Sequence, residues 1–177
     1  GGVELAGAGT ATSALAFGRE DATNSAPNAD TESWNGSSWT EVADLNQGRS
    51  RHGGLGASNT SALCVSGLPP PVANELVEQW NGSTWTEIAD VNDGRWTLAA
   101  NGTVTSALVY GGSDLYATPP RANVAVTESW NGSAWTEVSD LNTARRELAG
   151  SGADNTSALA FGGETPSDTE VGITEDW

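Results

Sequence analysis

The sequence predicts an all-β fold built from repeated units of four short strands. Trp-Asn-Gly occurs at Trp34, Trp80 and Trp130, and a matching segment, Thr-Glu-Asp-Trp, ends at Trp177. These tryptophans recur at intervals of 46 to 50 residues, which indicates one supersecondary unit per copy. Between them, short alternating apolar segments are separated by Gly- and Asn-rich turns, a pattern typical of strands rather than helices.

The third copy serves as the template for the four strands of a unit. We expect strands at residues 95–100, 105–110, 125–130 and 134–138. Asn101-Gly102 is expected to turn the chain between the first two strands, and Asn131-Gly132 is a strong tight-turn dipeptide between the last two. We expect residues that differ between the copies, rather than the repeated ones, to carry the function.

Four-stranded sheets of this kind cannot bury both of their faces alone. Packing successive sheets face to face around an axis solves this problem, and the result is a β-propeller. The chain, residues 1–177, is interpreted as a single propeller segment of about 3.75 repeats of 46–50 residues. Its blades are expected at residues 3–45, 51–90 and 96–141, with a partial blade at 146–177.

The copies share three motifs. The second strand reads Ser-Ala-Leu and ends in glycine, as at Gly111-Gly112, and the fourth strand reads Trp-Thr-Glu. Asp-x-Asn-x-x-Arg follows and ends at Arg49, Arg95 and Arg145. Together these motifs resemble the kelch repeat over essentially the whole chain, which implies four-stranded, kelch-like propeller blades. The first two copies depart from the pattern, because Gly18-Arg19 and Ser66-Gly67 replace the diglycine, so their turns are expected to differ.

This Trp-Asn-Gly-rich version is also similar to kelch arrays of marine bacteriophage virion proteins (tail, fibre or appendage) and of secreted bacterial proteins. That resemblance implies a location on a virion or outside a cell. Propellers close with about four to eight blades. We therefore expect other blades, from the same longer chain or from a homo-oligomer, to complete the ring and cover open faces rich in Trp and Leu.

The residues at fixed repeat positions are expected to be structural. The tryptophans in this class, assigned to packing between blades, are Trp34, Trp39, Trp80, Trp85, Trp130 and Trp135. The repeated arginines are expected to pair between blades with one of two repeated sets of acids, either Glu32, Glu78 and Glu128 or Asp44, Asp90 and Asp140. Cys64 lies in an alternating strand and is expected to be a small buried hydrophobe.

Composition excludes several partners. The net charge is −16, with 23 Asp and Glu against seven Arg and no Lys, so the chain would repel the phosphates of a nucleic acid. No apolar run approaches the roughly 18 residues that a membrane span requires, so membrane insertion is not expected. The absence of a starting Met indicates a processed product or a piece of a longer chain.

Candidate ligand-binding residues lie in the segments that vary between copies, at 19–30, 68–74, 113–123 and 164–170. All four leave the same edge of their blades, and insertions in repeat proteins collect on one face, often the binding face. The candidates are Asp114, Tyr116 and Arg121, together with Trp96 at the start of a first strand, where it would line the central channel or its mouth. The alternative is that these segments are surface loops without a ligand.

Catalysis is not expected. Kelch-type propellers include galactose oxidase, a copper enzyme, but a single His, His52, and a single Cys cannot supply its copper site or an ordinary His/Cys zinc site. No catalytic residue, cofactor or metal site is therefore assigned. The leading hypothesis is a non-catalytic structural or adhesion module that contacts glycan or protein. The alternatives are the propeller portion of a larger secreted enzyme and a Ca²⁺-dependent lectin-like binder.

Overall fold

The chain is all-β. A computed structural model describes residues 2–23, 26–68, 75–114 and 122–177, and these consist of strands and their connections without any helix. Within these ranges there is accordingly no helix long and apolar enough to cross a membrane. The prediction of an all-β fold is confirmed.

The strands form four main antiparallel sheets, one per repeat. Sheet I contains β1 (Gly2–Val3), β2 (Ala6–Thr10), β3 (Ser13–Asp21), β4 (Pro27–Trp34) and β5 (Trp39–Glu41). Sheet II contains β6 (Gly53–Ser58), β7 (Ser61–Val65), β8 (Val77–Trp80) and β9 (Trp85–Glu87). A small sheet with β10 (Arg95–Trp96), β13 (Ser113–Asp114) and β14 (Ala122–Asn123) accompanies sheet III, which contains β11 (Ala99–Thr103), β12 (Ser106–Tyr110), β15 (Thr127–Trp130) and β16 (Trp135–Glu137). Sheet IV contains β17 (Ala149–Asp154), β18 (Ser157–Phe161) and β19 (Thr174–Asp176).

Each sheet keeps its strands in chain order, and the sheets stack through their first strands. The order is β6-β7-β8-β9 in sheet II and β11-β12-β15-β16 in sheet III. The first strand of each sheet packs beside that of the next, β2 against β6, β6 against β11 and β11 against β17. The first strands therefore lie innermost and the fourth strands outermost, which makes the architecture propeller-like.

The predicted first strand was wrong by several residues. Residues 95–100 do not form one strand, because Thr97 adopts a left-handed backbone (φ 54°) that separates β10 from β11. Asn101-Gly102 was predicted to be a turn, yet both residues lie within β11 and pair with Leu108 and Ala107. Gly102 continues the ladder with φ 109°, and a Cβ there would approach the Ser106 carbonyl to 2.3 Å, so the position requires glycine.

The Trp-Asn-Gly hairpins are four-residue loops that begin with the predicted Asn-Gly turn dipeptide, one residue longer than the gap between the predicted strands. In the second repeat Trp80 pairs with Trp85, and Asn81 Oδ1 accepts the backbone N–H groups of Ser83 and Thr84, both at 3.0 Å. Only Gly82 has a positive φ, of 97°. The asparagine thus stabilises the loop with its side chain and not with a left-handed backbone.

The expected difference at the two irregular diglycine turns is found in the first repeat only. Ser66 has φ 60°, close to the 62° of Gly111, so the second repeat keeps the shared geometry. The Ser66 hydroxyl donates to the backbone carbonyl of Arg95 and accepts from the Arg95 backbone N–H, both at 2.7 Å. These hydrogen bonds offset the cost of a left-handed serine. In the first repeat Gly18 keeps the left-handed backbone (φ 58°), but Arg19 does not, and β3 continues through a bulge at this point.

The hydrophobic core lies mainly between the sheets rather than within one of them. Three clusters follow one another along the stack. Phe17 and Trp85 join sheets I and II, Val77 and Trp135 join sheets II and III, and a third cluster joins sheets III and IV. Among the described residues, the large hydrophobic side chains that remain exposed all belong to the first and last repeats: Val3, Leu5, Trp39, Leu159, Phe161 and Ile173.

Candidate functional site

The repeated tryptophans pack in pairs along the outer part of each complete sheet. The two rings of each hairpin are in contact, with centroid distances of 5.5 Å for Trp34 and Trp39, 5.5 Å for Trp80 and Trp85, and 5.1 Å for Trp130 and Trp135. The second tryptophan of a pair also reaches the preceding sheet, where the Trp85 Nε1–H donates to the Thr31 hydroxyl at 3.1 Å. These rings are therefore used in packing. Trp39 is the exception, at 48% exposed, because no sheet precedes the first one.

The repeated arginines each bind a glutamate of the following sheet. Arg95 Nη2 lies 3.0 Å from Glu128 Oε1, and both side chains are buried. The Arg95 guanidinium also donates to the carbonyls of Gly111 and Val126, and the Asn92 backbone N–H and side-chain amide both donate to Glu128 Oε2 at 2.7 Å. A buried ion pair with this many hydrogen bonds leaves few charges unsatisfied.

We call this contact between neighbouring sheets a joint. The other two joints repeat the arrangement. Arg49 binds Glu78, with Asn46 on the second carboxylate oxygen, and Arg145 binds Glu175 in the same way. Of the two sets of acids considered from the sequence, Glu78 and Glu128 of the glutamate set take this role, and Glu175 takes the third place instead of the predicted Glu32. Asp44, Asp90 and Asp140 instead accept backbone N–H groups within their own sheets.

The joint holds the Glu175 carboxylate in its charged form. Burial raises its pKa, but the backbone N–H of Asn142 and the Arg145 guanidinium lower it more, so that the pKa of Glu175 lies below its usual range. Glu32, at the equivalent position of the first sheet, is exposed and has no ion-pair partner among the described residues. The glutamate at this position is thus paired in each sheet that has a described sheet before it.

A ring of left-handed residues lies at the start of the innermost strands, and we call it the αL collar. Its members, Glu4, Arg51, Thr97 and Glu147, occupy one equivalent position in each repeat and have φ between 54° and 58°. Their backbones are joined in sequence, because each N–H donates to the carbonyl of the collar residue in the preceding sheet, at 3.2, 2.8 and 3.0 Å. A non-glycine residue with this φ is uncommon and costs free energy, so the surrounding hydrogen bonds must hold it.

The bases of the variable segments lie beside the collar. The residue before each collar residue pairs with the end of the second strand or with the variable segment itself, as Ser50 does with Leu68, Trp96 with Ser113 and Arg146 with Glu164. Since antiparallel strands bring the start of the first and the end of the second to one edge, the collar and the variable segments share a face. We call it the collar face.

The structure places two of the four predicted ligand-binding residues, and it brings them close together. Trp96 and Asp114 belong to the adjacent strands β10 and β13, where Arg95 pairs with Asp114. Trp96 is 7% exposed and lies beneath the Arg51 guanidinium, 5.1 Å from its ring centroid, and no partner is found for its Nε1–H. The Trp96 ring packs against Arg51, a collar residue, and is too buried to line an open channel. Tyr116 and Arg121 lie outside the described residues.

A cavity of about 350 Å³ opens among the collar residues and reaches the buried His52. The His52 Nε2 lies 3.1 Å from the Phe17 carbonyl, so this nitrogen carries the proton of the neutral ring, and Nδ1 has no hydrogen-bond partner. Burial, together with the charge of Arg49, lowers the pKa of His52 to about 3. The ring is therefore neutral at physiological pH, and its Nδ1 is buried away from solvent.

The charges of the collar face are unequal. Arg51 binds Glu4 and also lies 3.7 Å from Glu20, and this pairing with Glu4 raises its pKa. Arg146 binds Glu164 at 2.9 Å and Asp168 at 3.3 Å. Within the described part of the chain, the carboxylate of Glu147 has no ion-pair partner. A face with surplus acids favours neutral hydroxylated or cationic groups over phosphates and carboxylates.

The described residues contain no cluster of three or more His, Cys, Asp or Glu side chains placed to hold a metal ion. Cys64 is fully buried, and burial raises the pKa of its thiol to about 12, so it is protonated and unreactive at neutral pH. The αL collar was not predicted from the sequence. Its only trace was a polar residue two positions after each repeated arginine, at Arg51, Thr97 and Glu147.

Comparison with known proteins supports the fold alone. No protein-family model and no curated protein matches the chain. Among solved structures, YjhT is similar, with a TM-score of 0.70 and 18% sequence identity. The match covers 83% of this chain and 48% of YjhT, so the chain spans about half the length of that protein.

Proposed function

We propose that this chain is a non-catalytic binding module of β-propeller type, part of a virion or an extracellular surface, that contacts a glycan through its collar face. In this proposal the four repeats are kelch-like blades, about 3.75 of them, and further blades from a longer chain or from other copies complete the ring.

The observation that carries the proposal is the αL collar. A fixed backbone presents side chains of three types, those of Glu4, Arg51, Thr97 and Glu147, at one position of each repeat. They line a cavity that reaches the buried His52, on the face from which the variable segments leave. Hydroxyl groups of a sugar suit carboxylate acceptors together with an arginine donor. A face with surplus acids makes a neutral glycan the preferred class.

A glycan array tests the proposal. We expect binding of neutral glycans that is independent of Ca²⁺, is weakened at least tenfold in an Arg51→Ala variant and is also reduced in a Glu147→Gln variant, because each removes a charge-assisted hydrogen bond. Thr86→Ala is the matched control, since Thr86 is exposed on the outermost strand of sheet II. No binding to any glycan, or equal losses in the Thr86→Ala variant, would exclude glycan recognition by the collar face.

A further inference from the structure

The loops of the three Trp-Asn-Gly hairpins share the exposed sequence Asn-Gly-Ser, and we call them the hairpin tips. Their asparagines are Asn35, Asn81 and Asn131. In an Asn-Gly pair, the glycine nitrogen can attack the side-chain carbonyl carbon of the asparagine and close a five-membered ring. Glycine has no side chain that would hinder this approach. The surroundings of the two groups then decide how fast the ring closes.

Each hairpin tip surrounds the asparagine Oδ1 with three hydrogen-bond donors. In the second repeat the donors to Asn81 are the backbone N–H and the hydroxyl of Ser83 and the backbone N–H of Thr84, all at 3.0 Å. In the first repeat the Ser37 hydroxyl donates at 2.8 Å, and the N–H groups of Ser37 and Ser38 donate at 3.0 Å. The third tip repeats this arrangement at 2.9 to 3.0 Å.

The glycine nitrogen of each tip takes no part in holding the loop. Among the described residues, no hydrogen-bond acceptor is found for the N–H of Gly36, Gly82 or Gly132. The loop is instead closed by the preceding residue, as where the Asn81 N–H donates to the Thr84 carbonyl at 3.3 Å. An exposed N–H of this kind can lose its proton to a base in solvent without the loss of a structural hydrogen bond.

We propose that the three hairpin tips are sites of self-promoted deamidation. In the second repeat, hydroxide removes the Gly82 N–H proton, and the nitrogen forms a bond to Asn81 Cγ. Negative charge develops on Oδ1, where the three donors stabilise it in the manner of an oxyanion hole. The Cγ–Nδ2 bond then breaks, and Nδ2 takes a proton from water and leaves as ammonia. Water opens the resulting succinimide at either carbonyl and gives aspartate or isoaspartate.

A fourth Asn-Gly pair of the chain lacks these features. Asn101-Gly102 lies within β11, where Asn101 is 5% exposed and its Nδ2 donates to the Asp154 carbonyl at 3.2 Å. Within the described ranges no donor reaches the Oδ1 of Asn101. This pair is therefore expected to stay intact. The dipeptide is the same at all four places, so the difference between them follows from the structure.

The inference is independent of glycan binding. The loop between the third and fourth strands leaves the edge of a sheet opposite to that of the variable segments, so the hairpin tips lie away from the collar face. Each converted tip adds one negative charge to a chain whose net charge is −16. Isoaspartate also inserts one carbon into the backbone of the loop between two paired tryptophans, such as Trp80 and Trp85.

Peptide mapping by mass spectrometry, after incubation of the 177-residue chain at mildly alkaline pH, measures conversion at each asparagine. We expect Asn35, Asn81 and Asn131 to convert at least roughly tenfold faster than Asn101, with isoaspartate among the products. In urea the tips lose their arranged donors, so the four sites should convert at similar rates, and the tips more slowly than in the folded chain. Intact tips, or tips that convert faster in urea, would overturn the proposal.

A Ser83→Ala variant tests the role of the donors. It removes one donor from Asn81 Oδ1 and leaves the other two tips as they are, so Asn35 and Asn131 are reference sites in the same molecule. The rate at Asn81 relative to Asn131 should fall roughly tenfold. The reciprocal Ser133→Ala variant should lower the rate at Asn131 alone. A relative rate that is unchanged or raised would show that the hydrogen bonds protect the asparagine, and would refute the proposed role.

Discussion

His52 shows how one residue can depart from the repeat without disturbing it. The other three repeats have leucine at this position, at Leu5, Leu98 and Leu148. His52 fits between Gly18 and Gly67, where a Cβ on either glycine would approach it within 2.6 Å. A titratable ring thus occupies a core position, and its burial couples the stability of the first joint to pH.

We expect a His52→Leu variant to lose much of the pH dependence of stability between pH 7 and 5. The pKa of His52 falls to about 3 in the folded chain, from an ordinary value near 6.5. The unfolded chain therefore binds the extra proton first, so stability is fully present above pH 6.5 and is lost as pH falls, by up to ~1.4 kcal/mol per pH unit. Urea unfolding at several pH values measures the slope. Parallel slopes in the variant and the parent chain would contradict the assignment.

The joint between sheets is the unit that is repeated most faithfully. An arginine and an asparagine from one sheet meet a glutamate of the next at each of the three joints, and this glutamate is buried in the first two. The tryptophan of the following sheet closes the same joint in two of them. The Asp-x-Asn-x-x-Arg segment is thus a connector between sheets, not a surface loop.

An Arg95→Ala variant is expected to unfold more easily, by about 3–5 kcal/mol, because it leaves Glu128 buried and unpaired. Arg146→Ala is the control. Its ion pairs with Glu164 and Asp168 are partly exposed and are worth at most about 1 kcal/mol. Thermal and urea unfolding of both variants provide the measurement. An unchanged melting temperature for Arg95→Ala would show that the joint does not stabilise the fold.

The sequence predicts those features that repeat with the period. The strand class, the hairpin positions and the pairing of arginine with an acid all follow from residues that recur at fixed spacing. The path of the first strand cannot be predicted in this way, because the left-handed backbone at Thr97 is imposed by hydrogen bonds to Arg51 and Glu147 of neighbouring sheets. Side chains that favour positive φ are absent there, so no local signal identifies the αL collar.

The two ends of the stack are unlike its middle. Trp39 and Leu5 are exposed on the first sheet, and Leu159 and Phe161 are exposed on the last. In the joints between them, the same repeat positions are buried, as at Trp85 and Phe17. The two ends of the described stack thus expose apolar surface that its middle buries.

We expect the isolated 177-residue chain to self-associate through these ends. Association should increase with salt, because screening reduces the repulsion between chains of net charge −16. Light scattering should show that a Trp39→Ser, Phe161→Ser double variant is dispersed at concentrations where the parent associates. Association that is equal in the variant, or strongest at low salt, would mean that other surfaces are responsible.

The αL collar has a consequence for how such a module diversifies. The hydrogen bonds that join its members come from peptide groups, which every amino acid except proline provides in full, so they do not depend on the side chains of Glu4, Arg51, Thr97 and Glu147. Under the proposed function, substitution at these four positions would alter what the collar face binds while the backbone hydrogen bonds remain; at Arg51 it would also remove the ion pairs and the contact with Trp96. A small library randomised at these four codons would explore many specificities on one unchanged framework.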